Sequence, residues 1–115
     1  MCAFSHDPCG FDGETVRPVN AEAIADRLFP EPDRAYVRKK GLIGFFDVWV
    51  RREALGKYTG RGIFDTLVPV SREGRLLSHL SLGGVRLTMQ TVSISDEIRA
   101  CLCSEGGEKA EVRPL

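Results

Sequence analysis

A chain of 115 residues with 43% hydrophobic and 28% charged side chains has the composition of a folded unit with one modest core, which excludes a disordered segment. No run approaches the roughly 20 apolar residues a membrane-spanning helix needs, since the longest uncharged apolar stretch, Gly41 to Phe46, stops at Asp47. Net charge is zero, yet residues 1–33 hold seven acids against two bases and residues 34–61 hold eight bases against two acids, so the second block can form an anion-binding face or pair with the first.

Taken in chain order, residues 1–18 mix Gly, Pro, Asp and Phe without a period and read as an irregular arm. No basic head followed by an apolar block marks a secretory signal, so the expected compartment is the cytoplasm. Asn20 suits a helix cap, Glu22 the first turn, and Ile24 and Leu28 an apolar stripe. Pro30 should end that helix near Phe29, with Pro30-Glu31-Pro32 as an extended connection.

From Ala35 onward the pattern predicts strands. Lys39-Lys40-Gly41 reads as a turn, and Leu42 to Val50, rich in aromatic and β-branched residues, as a strand. Arg51 to Gly62 reads as a basic loop and Ile63 to Val70 as another strand. Arg72-Glu73-Gly74 is a turn, and Val85 to Ile94 alternates as a half-buried strand does. Glu97 to Cys103 fits either a helix or a strand; the Glu105-Gly106-Gly107-Glu108 turn favours a hairpin. The expected fold is mainly β, an antiparallel barrel or strongly curved sheet with one short N-terminal helix. Residues 1–115 are expected to be a single domain, with 1–33 as arm and helix and 34–115 as a β-rich body.

Cys2, Cys9, Cys101 and Cys103 lie near the chain ends with no Cys-x-x-Cys pair. Their spacing matches no zinc finger or ribbon even with His6 included, so free thiols and no metal are expected. No nucleophile–base set is evident, with His6 and His79 the only histidines, and the reading is a binding protein rather than an enzyme.

Two short strings carry chemistry. Lys57-x-x-x-Arg61 precedes an apolar segment, and His79-x-Ser81-x-x-Gly84 leads into Val85-Arg86-Leu87. Together they resemble the R-x-x-x-R and [DN]-x-S-x-x-G motifs of the PilZ domain, over residues 57–115. The resemblance implies a module for cyclic di-GMP or a related nucleotide, with Arg61, Ser81 and Gly84 as matching ligand-binding positions. Lys57 and His79 stand at the two substituted positions, and Arg52 would add charge. The rival is a β-barrel that has lost nucleotide binding and serves protein interaction or self-association. Ser81 to Gly84 also fits a plain hairpin turn. No cofactor, membrane or nucleic-acid partner is implied; a cyclic dinucleotide, a protein partner or a homodimer is.

Overall fold

The computed structural model describes residues 9–60 and 68–105. Strand β1 (Cys9–Thr15) is followed by helices α1 (Ala21–Leu28) and α2 (Glu31–Thr59). Strands β2 (Ser71–Arg72), β3 (Arg75–Leu76), β4 (His79–Leu82), β5 (Val85–Thr91) and β6 (Ile98–Glu105) complete the order. β2 and β3 form a small hairpin. The other four make an antiparallel sheet in the order β1-β6-β5-β4.

Helix α1 starts where expected, with the Asn20 side chain accepting from the Ala23 amide at 3.3 Å. It stops at Phe29, whose amide donates to the Ala25 carbonyl. Pro30-Glu31-Pro32 is no extended spacer, because Pro32 lies in the first turn of α2. That turn has no intrahelical use for an amide, so proline's missing N–H costs nothing there.

Helix α2 is the largest departure from expectation. The predicted strand over 42–50 and the predicted loop over 51–62, as far as its described residues reach, are instead its long second arm, up to the left-handed Gly60 (φ 74); 61–62 lie outside the described residues. The two arms meet at Gly41, whose φ of 72 and ψ of −148 break the helix where the sequence suggested a turn. No apolar stripe marks the second arm, because it is covered nearly all round. Phe45, Phe46, Val48, Val50, Ala54 and Leu55 are all buried, and so are Asp47, Arg51 and Arg52. A helix enclosed on several sides loses its amphipathic period, and burial outweighs the modest strand preference of Val and Phe. Phe29, Phe45 and Trp49 form a three-ring cluster, with Phe45 5.6 Å from Phe29 and 5.7 Å from Trp49 and the outer two rings 6.4 Å apart, locking α1 to α2.

The architecture is therefore mixed α and β. The sheet does not close into a barrel, since β1 and β4 are its two edges. One face presents Gly10, Asp12, Cys101, Cys103, Met89 and Leu87 in register, and Cys101, Cys103, Met89 and Leu87 join the core with α2. Among the described residues, side-chain bonds fasten helix to sheet along its length: Asp47 receives two bonds from Arg99, at 2.6 and 3.2 Å; Arg51 donates to Thr91 at 2.7 Å; Lys57 donates to Asp12 at 2.8 Å; the Tyr58 hydroxyl donates to Glu105. Residues 9–15, expected to be irregular, form an ordered edge strand on β6.

Candidate active site

Strand β1 approaches the second arm of α2 at Gly10. A Cβ there would stand 2.0 Å from the Ala54 carbonyl oxygen and 2.6 Å from the Tyr58 amide nitrogen, so only glycine permits the contact. Strand alternation puts Asp12 and Glu14 on the same face of β1 as Gly10. The burial pattern agrees, with Gly10, Asp12 and Glu14 sheltered and Phe11, Gly13 and Thr15 exposed. On α2, Glu53 and Lys57 lie one turn apart on the surface that meets β1.

The charges in this crevice are unevenly matched. Lys57 Nζ bonds Asp12 Oδ1 at 2.8 Å while keeping 53% of its side chain exposed. Asp12 Oδ2 is buried without a partner among the described residues. Burial pushes the Glu53 carboxyl above its ordinary range, Asp12 and Glu14 push it further by repulsion, and Lys57 opposes them. Asp12 and Glu53 thus share one crevice with a single ammonium group and one buried oxygen left over, while Glu14, on the same strand face, pairs with Arg17 at 3.7 Å.

A buried carboxylate near the start of α2 has a different environment. Asp33 accepts from Arg52 at 3.1 Å, from the Val70 and Ser71 amides, and from the Ser71 hydroxyl at 2.6 Å. Arg52 also donates to the Val68 carbonyl. Desolvation raises the Asp33 carboxyl and lowers the Arg52 guanidinium, each opposed by attraction to the other.

The residues singled out in the sequence do not converge. Lys57 belongs to the crevice. Arg52 is locked in the Asp33 pair and faces no solvent. His79 and Ser81 stand on β4, at the opposite edge of the sheet. Gly84, with Gly83, forms the two-residue β4–β5 turn (φ 58 and 81). Arg61 lies outside the described residues. Cys2 and His6 also lie outside them, while Cys9 is disulfide-bonded, which corrects the expectation of four free thiols. Cys101 and Cys103 are free and buried, and burial pushes their thiols up to about 11 and about 12.

A family model of the 4'-phosphopantetheinyl transferase superfamily matches residues 8–103, spanning both β1 and the α2 crevice. The chain belongs to this superfamily. No curated protein matches it. The PilZ resemblance is overturned, and with it the cyclic di-GMP module, its cyclic dinucleotide ligand and the ligand-free interaction barrel. The expectation of a non-enzyme fails too, because this is a superfamily of transferases. Ser and Gly in a tight turn, with basic residues upstream, were common features rather than specific ones.

Sequence reasoning missed Asp12, Glu14 and Glu53. The signal was the alternation Gly10-x-Asp12-x-Glu14, a strand face with two acids, and the helical spacing of Glu53 and Lys57. Reading 1–18 as an arm and 51–62 as a loop hid both periods. Among the described residues no helix is long and apolar enough to cross a membrane.

Proposed function

We propose that this domain transfers a 4'-phosphopantetheinyl group from a pyrophosphate donor of the coenzyme A type to a hydroxyl of an acyl carrier protein. The observation that carries this reading is the under-neutralised crevice of Asp12, Glu53 and Lys57, inside the stretch matched by the transferase family. In the reaction the acceptor oxygen forms a bond to the pantetheine-side phosphorus. The P–O bond to the rest of the pyrophosphate breaks, the leaving phosphate takes the electron pair, and the acceptor proton goes to a base. Glu53 is the candidate base, since a carboxyl pushed upward by burial and like charge takes a proton more readily than an ordinary one. Lys57 carries positive charge to the transferring phosphoryl oxygens, where positioning and charge stabilisation do most of the catalytic work.

The crevice fits a divalent cation. An orphaned buried Asp12 oxygen and a repelled Glu53 are both relieved by positive charge, and Mg²⁺ commonly takes one or two carboxylates together with substrate phosphates. Among the described residues no three such groups already stand together as a complete metal site, so Asp12 would anchor the ion, leaving Glu53 free as the base and positions open for water and donor. When bound, it would neutralise phosphate charge and polarise a phosphoryl oxygen. Self-association belongs to the same proposal, as ACPS-type proteins often act as homo-oligomers.

The test is intact-mass analysis of an acyl carrier protein incubated with the full chain, coenzyme A and magnesium. A gain of one phosphopantetheinyl group, lost with Asp12→Ala and with Glu53→Gln, supports the reading. No gain with the parent protein, or full transfer by Glu53→Gln, overturns it.

A further inference from the structure

The edge of the sheet remote from the carboxylates holds a cavity of about 490 Å³, bounded by β4, β5, β2 and the start of α2. Its volume is in the range that holds small organic molecules. Arg72, Arg86, His79 and Ser81 contribute its polar wall, Pro69 and Leu77 part of its apolar wall, and among the described residues no carboxylate lines it.

The polar groups come together for reasons of register. Ser81 pairs with Arg86 and His79 with Thr88 across the β4–β5 hairpin, so His79, Ser81 and Arg86 share one sheet face. The tight Gly83-Gly84 turn fixes that register. Arg72 arrives from the β2–β3 hairpin, whose first strand is anchored by the Ser71 bonds to Asp33. Two guanidinium groups from separate elements thus border one cavity. Among the described residues neither makes an ion pair or hydrogen bond. His79 Nδ1 is buried at the same place with no hydrogen-bond partner, and a buried polar nitrogen left unpaired is costly.

We propose that this cavity binds an organic phosphate monoester with an apolar tail, its phosphate between Arg72 and Arg86 and its tail against Pro69 and Leu77. A phosphate dianion matches two guanidinium forks in charge and offers three oxygens, one more than a carboxylate. The third oxygen suits the His79 ring or the Ser81 hydroxyl, each able to donate. The site is separate from the transferase crevice. β1 and β4 lie three strand spacings apart, on the order of 14 Å at ~4.8 Å per step, so the inference stands whether or not the crevice transfers phosphopantetheine.

The experiment is calorimetry of the full chain at low salt with hexyl phosphate, inorganic phosphate, hexanoate and hexanol, plus NMR of the His79 ring. Hexyl phosphate should bind about tenfold or more tightly than any of the other three, because each lacks either the tail or the dianion. It should also shift the His79 ring signals. Arg72→Gln and Arg86→Gln should each weaken binding about tenfold while keeping the parent's urea midpoint, since both side chains are exposed. Glu53→Gln should bind hexyl phosphate as the parent does. No saturable binding of hexyl phosphate overturns the site, and so does unchanged affinity in both arginine variants. Equal binding of inorganic phosphate would remove the role of the apolar wall, equal binding of hexanoate the phosphate preference, and either result overturns the proposal as stated.

Discussion

Two of the acid–base pairs that involve helix α2, Asp33–Arg52 and Asp12–Lys57, look alike on paper and behave as opposites. Asp33 and Arg52 are enclosed, and the Asp33 carboxylate is satisfied by an arginine, two amides and a hydroxyl. Asp12 and Lys57 make a single bond, with half the lysine in solvent and one aspartate oxygen unmatched. The first pair joins the start of α2 to its second arm and to the chain entering β2, and no Asp33 oxygen is left over for a ligand. The second holds reserve charge at an opening. A saturated carboxylate marks the structural pair, and an unmatched one marks the functional pair.

Four substitutions would break or sharpen this contrast. Arg52→Met removes one partner of an enclosed pair and strands Asp33, which should cost about 3–5 kcal/mol; urea denaturation read by circular dichroism measures it, and a loss below about 1 kcal/mol would erase the distinction. Gly10→Ala pushes β1 off the Ala54 carbonyl and should cost about 1–3 kcal/mol through overpacking. It should also lower transfer more than a stability loss of that size predicts, because Asp12 moves with the strand; parallel denaturation and carrier-protein mass assays separate the two effects.

Lys57→Met should change stability by about 1 kcal/mol or less, as exposed pairs do, yet remove transfer activity. Activity close to the parent's would place Lys57 with the structural residues. The smallest stability effect, on the order of 0.5 kcal/mol, belongs to Glu53→Gln, and its sign is positive because repulsion from Asp12 and Glu14 disappears. The pH dependence follows from the same shift. Glu53 has a raised folded value against its ordinary 4.5, so folding favours its protonated form. That contribution is complete below the ordinary value and is lost as pH rises through the raised one. Denaturation midpoints of parent and Glu53→Gln should therefore converge toward acid pH and separate, with the variant higher, toward neutral pH.

What could be read from residues alone depended on whether local signals were free to show. Asn20 capping α1, the break at Gly41 and the Gly83-Gly84 turn are set by backbone chemistry within a few residues, and each appeared in the sequence. The second arm of α2 could not, because burial on several sides removed the period that reveals a helix, and its Val and Phe content pointed to strand. β1 was obscured for the opposite reason: Asp12 and Glu14 occupy the inward face of an edge strand, so alternation ran acidic inside and mixed outside. The crevice joins residues some forty positions apart, a proximity created by the Gly10 contact with α2.

The pairing of β1 with β6, from Cys9 opposite Ser104 to Thr15 opposite Ile98, also fixes the order of events in folding. The first described strand can dock on the sheet only after the last has formed, and closing so long a loop costs chain entropy before contacts repay it. The helices and the β4–β5 hairpin are assembled from near neighbours and need no such wait. Asp12 should thus be among the last groups to reach its place, and a chain emerging from synthesis would hold its core before it holds its chemistry.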